Sequence, residues 1–525
     1  MRYRVNGLRL RYDRDTAEAL ADRAALQLGV RRNDLSDLCV ARRSIDARKE
    51  PAMIVYSVDV DSAVPLSGPD AVPVPEASTM NVAIGTESVP GSPIVVGAGP
   101  AGLFCAWILA RHGYRPLVLE RGGDVAARNL ALAEFARTRV VNEECNALFG
   151  LGGAGTFSDG KLTTSLSHPF IRSILDLLVE CGAPGQILTD AKPHIGTDHL
   201  QLVVTRLAAR IEALGGRILT GVRMTGLRTA DGAVVGVQTT DGPMDSGIVV
   251  MATGHSARDT WCALQAAGVA LAPKPFQMGV RVEHPQEWLD QQQFGAGAGH
   301  PSLGAADYKL TTRVDGVPVF SFCMCPGGWT MASVNEPGNL CVNGMSLHAR
   351  NGRFSSSGLV VTLEPDVFGG TDLSSCLSFV RRVESACFVR GGSDYTAPAQ
   401  TLPLFLKGKT DRTLPGSGYA FGLRAVDLKT VLPPFVAEKL RRAIPAFHRQ
   451  LPGFLQDRAV AIAPESRASS PVRIVRDKET RQSVSCSGLY PAGEGAGYAG
   501  GIVSAALDGL HAGLKIIERF APPSC

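Results

Sequence analysis

The sequence predicts an α/β protein: a Rossmann-like domain interrupted by an inserted α+β domain and preceded by a small βαββ-like module. Three observations predict it. PIVVGAGPAGLFCAWILARHG (Pro93 to Gly113) reads as strand, glycine turn and helix. Beyond it, strands and helices alternate as a parallel sheet requires. After a less regular interval, SGLYPAGEGAGYAGGIVSAALDGLHAGLKIIERF repeats strand, turn and helix at the end of the sequence.

At 525 residues the chain is too long for one ordinary core. A hydrophobic fraction of 45% and a charged fraction of 19% belong to a folded globular protein. The 58 glycines are about 11% of the chain against a usual ~7%, which indicates many tight turns and close backbone approaches. A net charge of +4 gives little grip on nucleic acid, and RRSIDARK (Arg42 to Lys49) reads as a solvated face or a small-anion contact. Apart from CMC (Cys323, Cys325) the twelve cysteines stand alone, a pattern of free thiols in a reducing compartment. The start, MRYRVNGLRLRYDRD, has no apolar signal region. The uncharged run from Ile94 to Ala110 is broken by glycines and a proline and lasts about 17 residues, the lower limit for a membrane span. The expectation is a soluble, cytoplasmic protein that binds neither membrane nor nucleic acid.

Residues 1–60 form the small α+β module. RVNGLRLRY alternates like a strand, TAEALADRAALQLGV has helical spacing, and MIVYSVDVD returns to strand periodicity. Residues 61–92 turn to Pro, Ser, Val and Gly and read as a linker. Residues 93–272 make the first part of the Rossmann-like domain: PIVVGAG, YRPLVLE, RILTGVRMTGL, VVGVQTT and GIVVMATG are strands, and QLVVTRLAARIEALGG is an amphipathic helix. Residues 273–455 are the insertion, and 456–525 complete the first fold.

Three stretches satisfy G-x-G-x-x-G: GAGPAG from Gly97, GLGGAG from Gly150 and GAGYAG from Gly495. The pattern has content only with a strand before it, a helix after it and an acid about 20 residues on. The turn Gly97-Ala98-Gly99-Pro100-Ala101-Gly102 meets all three conditions. Gly97 gives the tight turn, Gly99 leaves room for a diphosphate, and Gly102 permits close packing of helix on sheet. Glu120 ends the next strand, where a carboxylate can accept both hydroxyls of a ribose. GLGGAG fails, because TFSDGKL behind it cannot open a helix. It is a loop whose N–H groups can wrap an anion or a planar ring, or a plain surface turn. GAGYAG has strand and helix but no downstream acid. Its setting, PAGEGAGYAGGI, puts Glu494 in the turn and a glycine pair before the last helix. A second helix N-terminus aimed at one cofactor suits FAD, whose reduced ring is anionic, and has no purpose for NAD.

GAGPAG, Glu120-Arg121, VVMATG (Val249 to Gly254) and PAGEGAGYAGG resemble the ordered elements of flavoproteins with the glutathione-reductase-type FAD-binding Rossmann-like fold. More narrowly, the chain resembles a bacterial family of FAD-dependent dehydrogenases of mostly unassigned substrate. SIDARK, FGLGGAGTFSDGKL, PHIGTDHL, KPFQMGVRVEHPQ, ADYKL, SFCMCPGG, YTAPAQ and SSPVRI carry that resemblance over nearly the whole chain. It implies an inserted substrate domain and FAD held as follows. Gly97, Gly99 and Gly102 hold the diphosphate, Glu120 and Arg121 the adenosine side, and Met224 the adenine through its backbone. Gly254 ends the strand that closes the sheet. Gly493 and Glu494 meet ribityl and phosphate, and Gly500, Gly501 and Ile502 the pyrimidine edge of the flavin. The loop from Gly152 to Lys161, with Gly153, Thr156 and Asp159, lines flavin and diphosphate from the far side.

Hydride transfer needs the substrate near the flavin, a dry pocket and a base. Cys323 and Cys325 in SFCMCPGG are candidates for base, covalent partner or relay, or are buried structural thiols. Cys323 and Cys325 are expected to present their thiols to opposite faces of the strand. Tyr308 and Lys309 in ADYKL, with Arg281, Glu283 and His284, are polar groups on apolar strands, either scaffold or catalytic. His194 and His199 share no companion ligand, so no metal is assigned. The reading is a flavin-dependent oxidoreductase of a small organic substrate, with NAD(P)H, a quinone, a ferredoxin and oxygen all open as electron partner. An RNA-modifying flavoenzyme and a non-enzymatic flavin redox sensor are the alternatives.

Overall fold

The strands Ile94–Val96, Leu117–Glu120, Arg217–Thr220, Val249–Met251 and Leu489–Pro491 form one parallel sheet. Its order runs Leu489–Pro491, Val249–Met251, Ile94–Val96, Leu117–Glu120, Arg217–Thr220, so the glycine-turn strand sits at the centre. The computed structural model describes residues 2–523 apart from 67–70, 75–81, 89–90, 369 and 371. Apart from Glu120 the three central strands are apolar, and they are almost fully buried, as a parallel sheet covered on both faces demands.

The helix Pro100–Arg111 leaves the central strand and is buried from Ala101 to Ala110. It lies against the helices Thr197–Ala213 and Ile502–Arg519. Contact with the last helix is close because Gly509 and Gly513, one turn apart, face it. A Cβ on Gly509 would overlap the Ala101 carbonyl, and one on Gly513 would overlap Ile108. Each large aliphatic side chain buried here contributes about 1.5–3 kcal/mol. The sequence segment RILTGVRMTGL splits between two sheets: Arg217–Thr220 stays in the parallel one, while Met224–Ala230 pairs with Ala233–Thr239 in a three-stranded antiparallel sheet.

The stretch read as less regular contains the largest sheet. Its order is Thr311–Val314, Val317–Ala332, Phe354–Leu363, Phe276–Pro285, Val460–Glu465, Ala397–Thr401 and Leu423–Ala425, with Val342–Met345 attached to the second strand. Val460–Glu465 pairs with Phe276–Pro285, so this sheet reaches past residue 455, the boundary read from sequence. The helices Leu373–Gly391 and Pro434–Gln450 cover it, and an apolar core from Phe276 to Ala463 lies between.

The N-terminal module has the expected order: Arg2–Arg11, helix Ala17–Leu28, Leu35–Asp46 and Met53–Ser62. Thr16 caps the helix by accepting from Ala19 N, and Gly29, at φ +67°, ends it. The SIDARK strand Leu35–Asp46 docks the module on the body through backbone hydrogen bonds between Arg43 and both Thr189 and Ala191. Much of the 61–92 arm lies outside the described residues. The described parts are pinned: Val72–Pro73 pairs with the first strand, and Gly85 and Glu87 bond to the end of the last helix.

Candidate active site

A cavity of about 370 Å³ runs from the first glycine turn to the inserted sheet. At the turn the three glycines do different work. Gly97 is left-handed at φ +102°, and a Cβ there would overlap the Ala252 carbonyl. A Cβ on Gly102 would overlap the Gly97 carbonyl. Gly99 faces space, its nearest prospective neighbour being Gly153 Cα at 3.9 Å. Two glycines therefore let backbones meet, and the third leaves room for a ligand. Pro100 opens the helix with its φ already set, and Gly99, Pro100 and Ala101 bring the helix N-terminus to that room.

Glu120 is buried and locked by the backbone. Its Oε2 accepts from Ala98 N at 2.9 Å, and its Oε1 from Gly122 N and Gly150 N, both at 2.9 Å. The Ala98 N–H is thus a strut for the acid, and Ala98 does not line the cavity. Glu120, Arg121, Arg223 and Met224 line this end. Arg121 is held by Glu144 at 2.8 Å and Asp259 at 3.0 Å, with its guanidinium over the Phe149 ring.

The loop GLGGAGTFSDGKL closes over the first turn. Arg128, fully buried, donates to the carbonyls of Asn146, Ala147, Gly150 and Leu151 and fixes the loop's path. Gly153 lies against Gly99, and Gly155, Ser158, Gly160 and Lys161 face the cavity. Three residues assigned to the cofactor from sequence sit elsewhere. Gly152 and Thr156 face a small apolar cleft beside the helix Thr197–Ala213. Asp159 is turned inward, where its carboxylate accepts from Lys161 at 2.9 Å, Arg350 at 2.6 and 3.0 Å, and Ser346 at 2.5 Å. Burial would raise its pKa, but Lys161 and Arg350 hold it far below the usual range.

At the C-terminal turn Glu494, Gly500, Gly501 and Ile502 line the cavity, as does Gly254. The prospective Cβ positions of Gly254 and Gly500 have nothing within 4 Å. Gly493 instead donates its N–H to Asp508 at 2.8 Å, and Arg476 and Arg481 hold that carboxylate. Burial lifts Glu494 to about 8, partly offset by Lys274.

The far wall comes from the inserted sheet: Phe322, Cys323, Asn343, Glu465 and Arg467, facing Lys161 and His255. The strand Val317–Ala332 is not regular here. Its register against Phe354–Leu363 shifts on both sides of Cys325, and Cys323 takes φ +42°. Residues two apart share a face even on a regular strand, so the expectation of opposite faces does not hold, and the register shifts here reshape the pair further. Cys325 Sγ donates to Cys323 O at 3.2 Å. A left-handed non-glycine residue costs on the order of 1–3 kcal/mol and persists where surroundings enforce it.

Arg281, fully buried, supplies the enforcement. Its Nη2 donates to Cys323 O at 2.8 Å and Ser356 O at 2.9 Å and reaches Cys325 Sγ at 3.7 Å, while Nη1 donates to Glu465 at 3.1 Å. From the other side, Lys161 Nζ donates to the carbonyl of Met324, between the two cysteines. The Cys325 hydrogen bond, helped by Lys161 and Arg281, lowers the Cys323 thiol against its burial, and Cys325 is raised. Burial pushes Glu465 up to about 7 despite Arg281, and His255 down to about 4.

Lys309 does not join this constellation; it is exposed and absent from the cavity wall. Sequence reasoning missed Glu465, Arg467, Asn343 and His255. Glu465 and Arg467 stand just before SSPVRI, the nearest signal it offered. Arg467 is positioned by Glu384, which accepts from it at 2.9 and 3.0 Å and from Arg258 at 2.8 and 2.9 Å, tying the inserted domain to the helix Arg258–Ala266. Among the described residues no group of three or more His, Cys, Asp or Glu side chains could hold a metal ion, and no helix is long and apolar enough to cross a membrane.

A centred glycine fingerprint, a locked acid at the next strand end and a second glycine turn facing the same cavity are elements of a flavoprotein-type Rossmann-like fold. Family models agree: NAD(P)-binding Rossmann-like domain over residues 95–134, FAD dependent oxidoreductase over 193–316, and FAD-dependent protein, C-terminal domain-like, over 275–468. Residues 2–61 match a domain of unknown function. An uncharacterized protein of Clostridium beijerinckii is 38% identical over the whole of both chains. Protein FixC of Salmonella typhi is 25% identical over 181 residues, 31% of this chain and 36% of its own. Glycine oxidase from Geobacillus kaustophilus aligns over 82% of this chain and 95% of its own, at 13% identity and a TM-score of 0.35. The chain belongs to the FAD-dependent oxidoreductase family that includes the full-length Clostridium relative.

Proposed function

We propose that the protein binds FAD and moves a hydride between a small organic substrate and the flavin. The observation that carries this reading is the continuity of one cavity from Gly99 and Glu120 to Cys323, Lys161 and Glu465. The residues present fit the group: open space at Gly99, Gly254 and Gly500, and an acid already oriented by three backbone donors. When bound, FAD supplies reversible two-electron chemistry at its ring.

The chain's own contributions follow from the geometry. The open turn at Gly99 and Glu120 would hold the diphosphate and ribose, and Gly500 to Ile502 would offer a helix N-terminus to the ring. Cys323 meets the cavity beside Lys161, whose cation favours negative charge there. Glu465 and Glu494, at about 7 and about 8, are able to take or give a proton near neutrality. Phe322 and Ala468 add apolar wall that excludes water.

Anaerobic bleaching of the flavin absorbance against a panel of small metabolites, with NADH and NADPH included, tests the reading. Rapid bleaching by one chemical class is the expected result. A bound flavin that no donor reduces would overturn the hydride-transfer reading and leave a redox sensor.

A further inference from the structure

We propose that Cys323 and Cys325 form a dithiol–disulfide couple that exchanges an electron pair with the cofactor, an inference that rests on the flavin reading above. Cys325 Sγ turns back to within 3.2 Å of the Cys323 carbonyl oxygen, residues two apart share a face of a strand, and Cys323 opens to the cavity. The local backbone is built for this pairing. Left-handed Cys323 folds the chain back on itself, and Arg281 and Lys161 clamp the carbonyls of Cys323 and Met324. Gly344 leaves the space: a Cβ there would stand 2.8 Å from Cys325 Sγ and would overlap the Arg281 guanidinium. Two cations beside the cysteines, buried Arg281 and half-buried Lys161, favour a thiolate, the species that attacks in disulfide chemistry.

The step balances. Cys323 enters as thiolate and Cys325 as thiol; one S–H bond breaks and one S–S bond forms. Two electrons and one proton pass to the oxidised flavin, which becomes the anionic reduced form. In reverse, the reduced flavin opens the disulfide and restores thiolate and thiol. The protein then stores one electron pair beyond the pair held by its flavin.

The test uses the flavin-loaded protein, oxidised with diamide, desalted and titrated anaerobically with dithionite. Wild type is expected to take up one electron pair more than either Cys323→Ser or Cys325→Ser, both of which should bleach with a single pair per flavin. Peptide mapping gives a second measurement that needs no variant. The peptide carrying both cysteines should be lighter by two hydrogens after diamide and recover with dithiothreitol. Wild type that takes up only the flavin's pair, or a map in which these two cysteines stay reduced, overturns the proposal. Purified protein without flavin would instead sink the cofactor reading, and the peptide map would still decide whether the disulfide forms.

Discussion

On one side of the cavity, Gly97, Gly99 and Gly102 act through the side chains they lack; on the other, Cys323, Glu465 and Arg467 act through side chains gathered from distant parts of the chain. The first wall is backbone. Its shape follows from a strand, a turn and a helix that are consecutive in sequence, and its acid is held by main-chain donors. The second wall is a set of side chains kept in place by buried ion pairs, Arg281 with Glu465 and Arg258 and Arg467 with Glu384. The difference teaches that binding and chemistry can be perturbed separately here.

The largest effect belongs to the backbone wall. Gly99→Val should abolish flavin loading while the flavin-free fold survives, because the new side chain enters open space. Gly102→Ala should lose flavin and fold stability together, since its Cβ would overlap the Gly97 carbonyl. Flavin content against thermal midpoint separates the two variants, and equal behaviour would erase the distinction between them.

On the side-chain wall, Glu384→Gln leaves two buried guanidiniums facing a neutral amide. A loss of about 3–5 kcal/mol in denaturant unfolding is expected, the range for breaking a buried pair from one side. Cys323→Ser should keep full flavin loading and slow flavin reduction by the true donor by about 10²-fold, as when a positioned acid–base group is lost. Unchanged reduction would return this thiol to a packing role.

A smaller effect concerns pH. Glu494 has an ordinary value near 4.5 when unfolded and about 8 in the flavin-free fold. Between those values the unfolded chain releases a proton that the fold retains, so stability falls as pH rises through the window. Glu494→Gln should flatten this slope in flavin-free protein, read as thermal midpoint against pH. Lys309→Ala should do nearly nothing, within about 0.5 kcal/mol and with normal flavin reduction, because the side chain is exposed away from the cavity.

How much could be read in the sequence follows the same division. The fingerprint turn, Glu120, Gly254 and the C-terminal glycine pair were legible because each requirement is local in the chain. Asp159 was misplaced because its partners Arg350 and Ser346 lie far downstream, and no local pattern announces an ion cluster. The expectation of opposite thiol faces fails on the alternation rule itself, since residues two apart share a face; what the sequence hides is the distortion, which depends on Phe354–Leu363 and on Arg281. The insertion's boundary fell short at 455 because Val460–Glu465 joins Phe276–Pro285 across a long stretch of chain.

The cavity opening at Gly99 is proposed as an FAD site. Heat release of the cofactor from purified protein, followed by chromatography against FAD, FMN and NAD standards, tests it most directly. FAD is expected, near one per chain in wild type and nearly none in Gly99→Val. FMN or NAD alone, or normal loading of Gly99→Val, would contradict it.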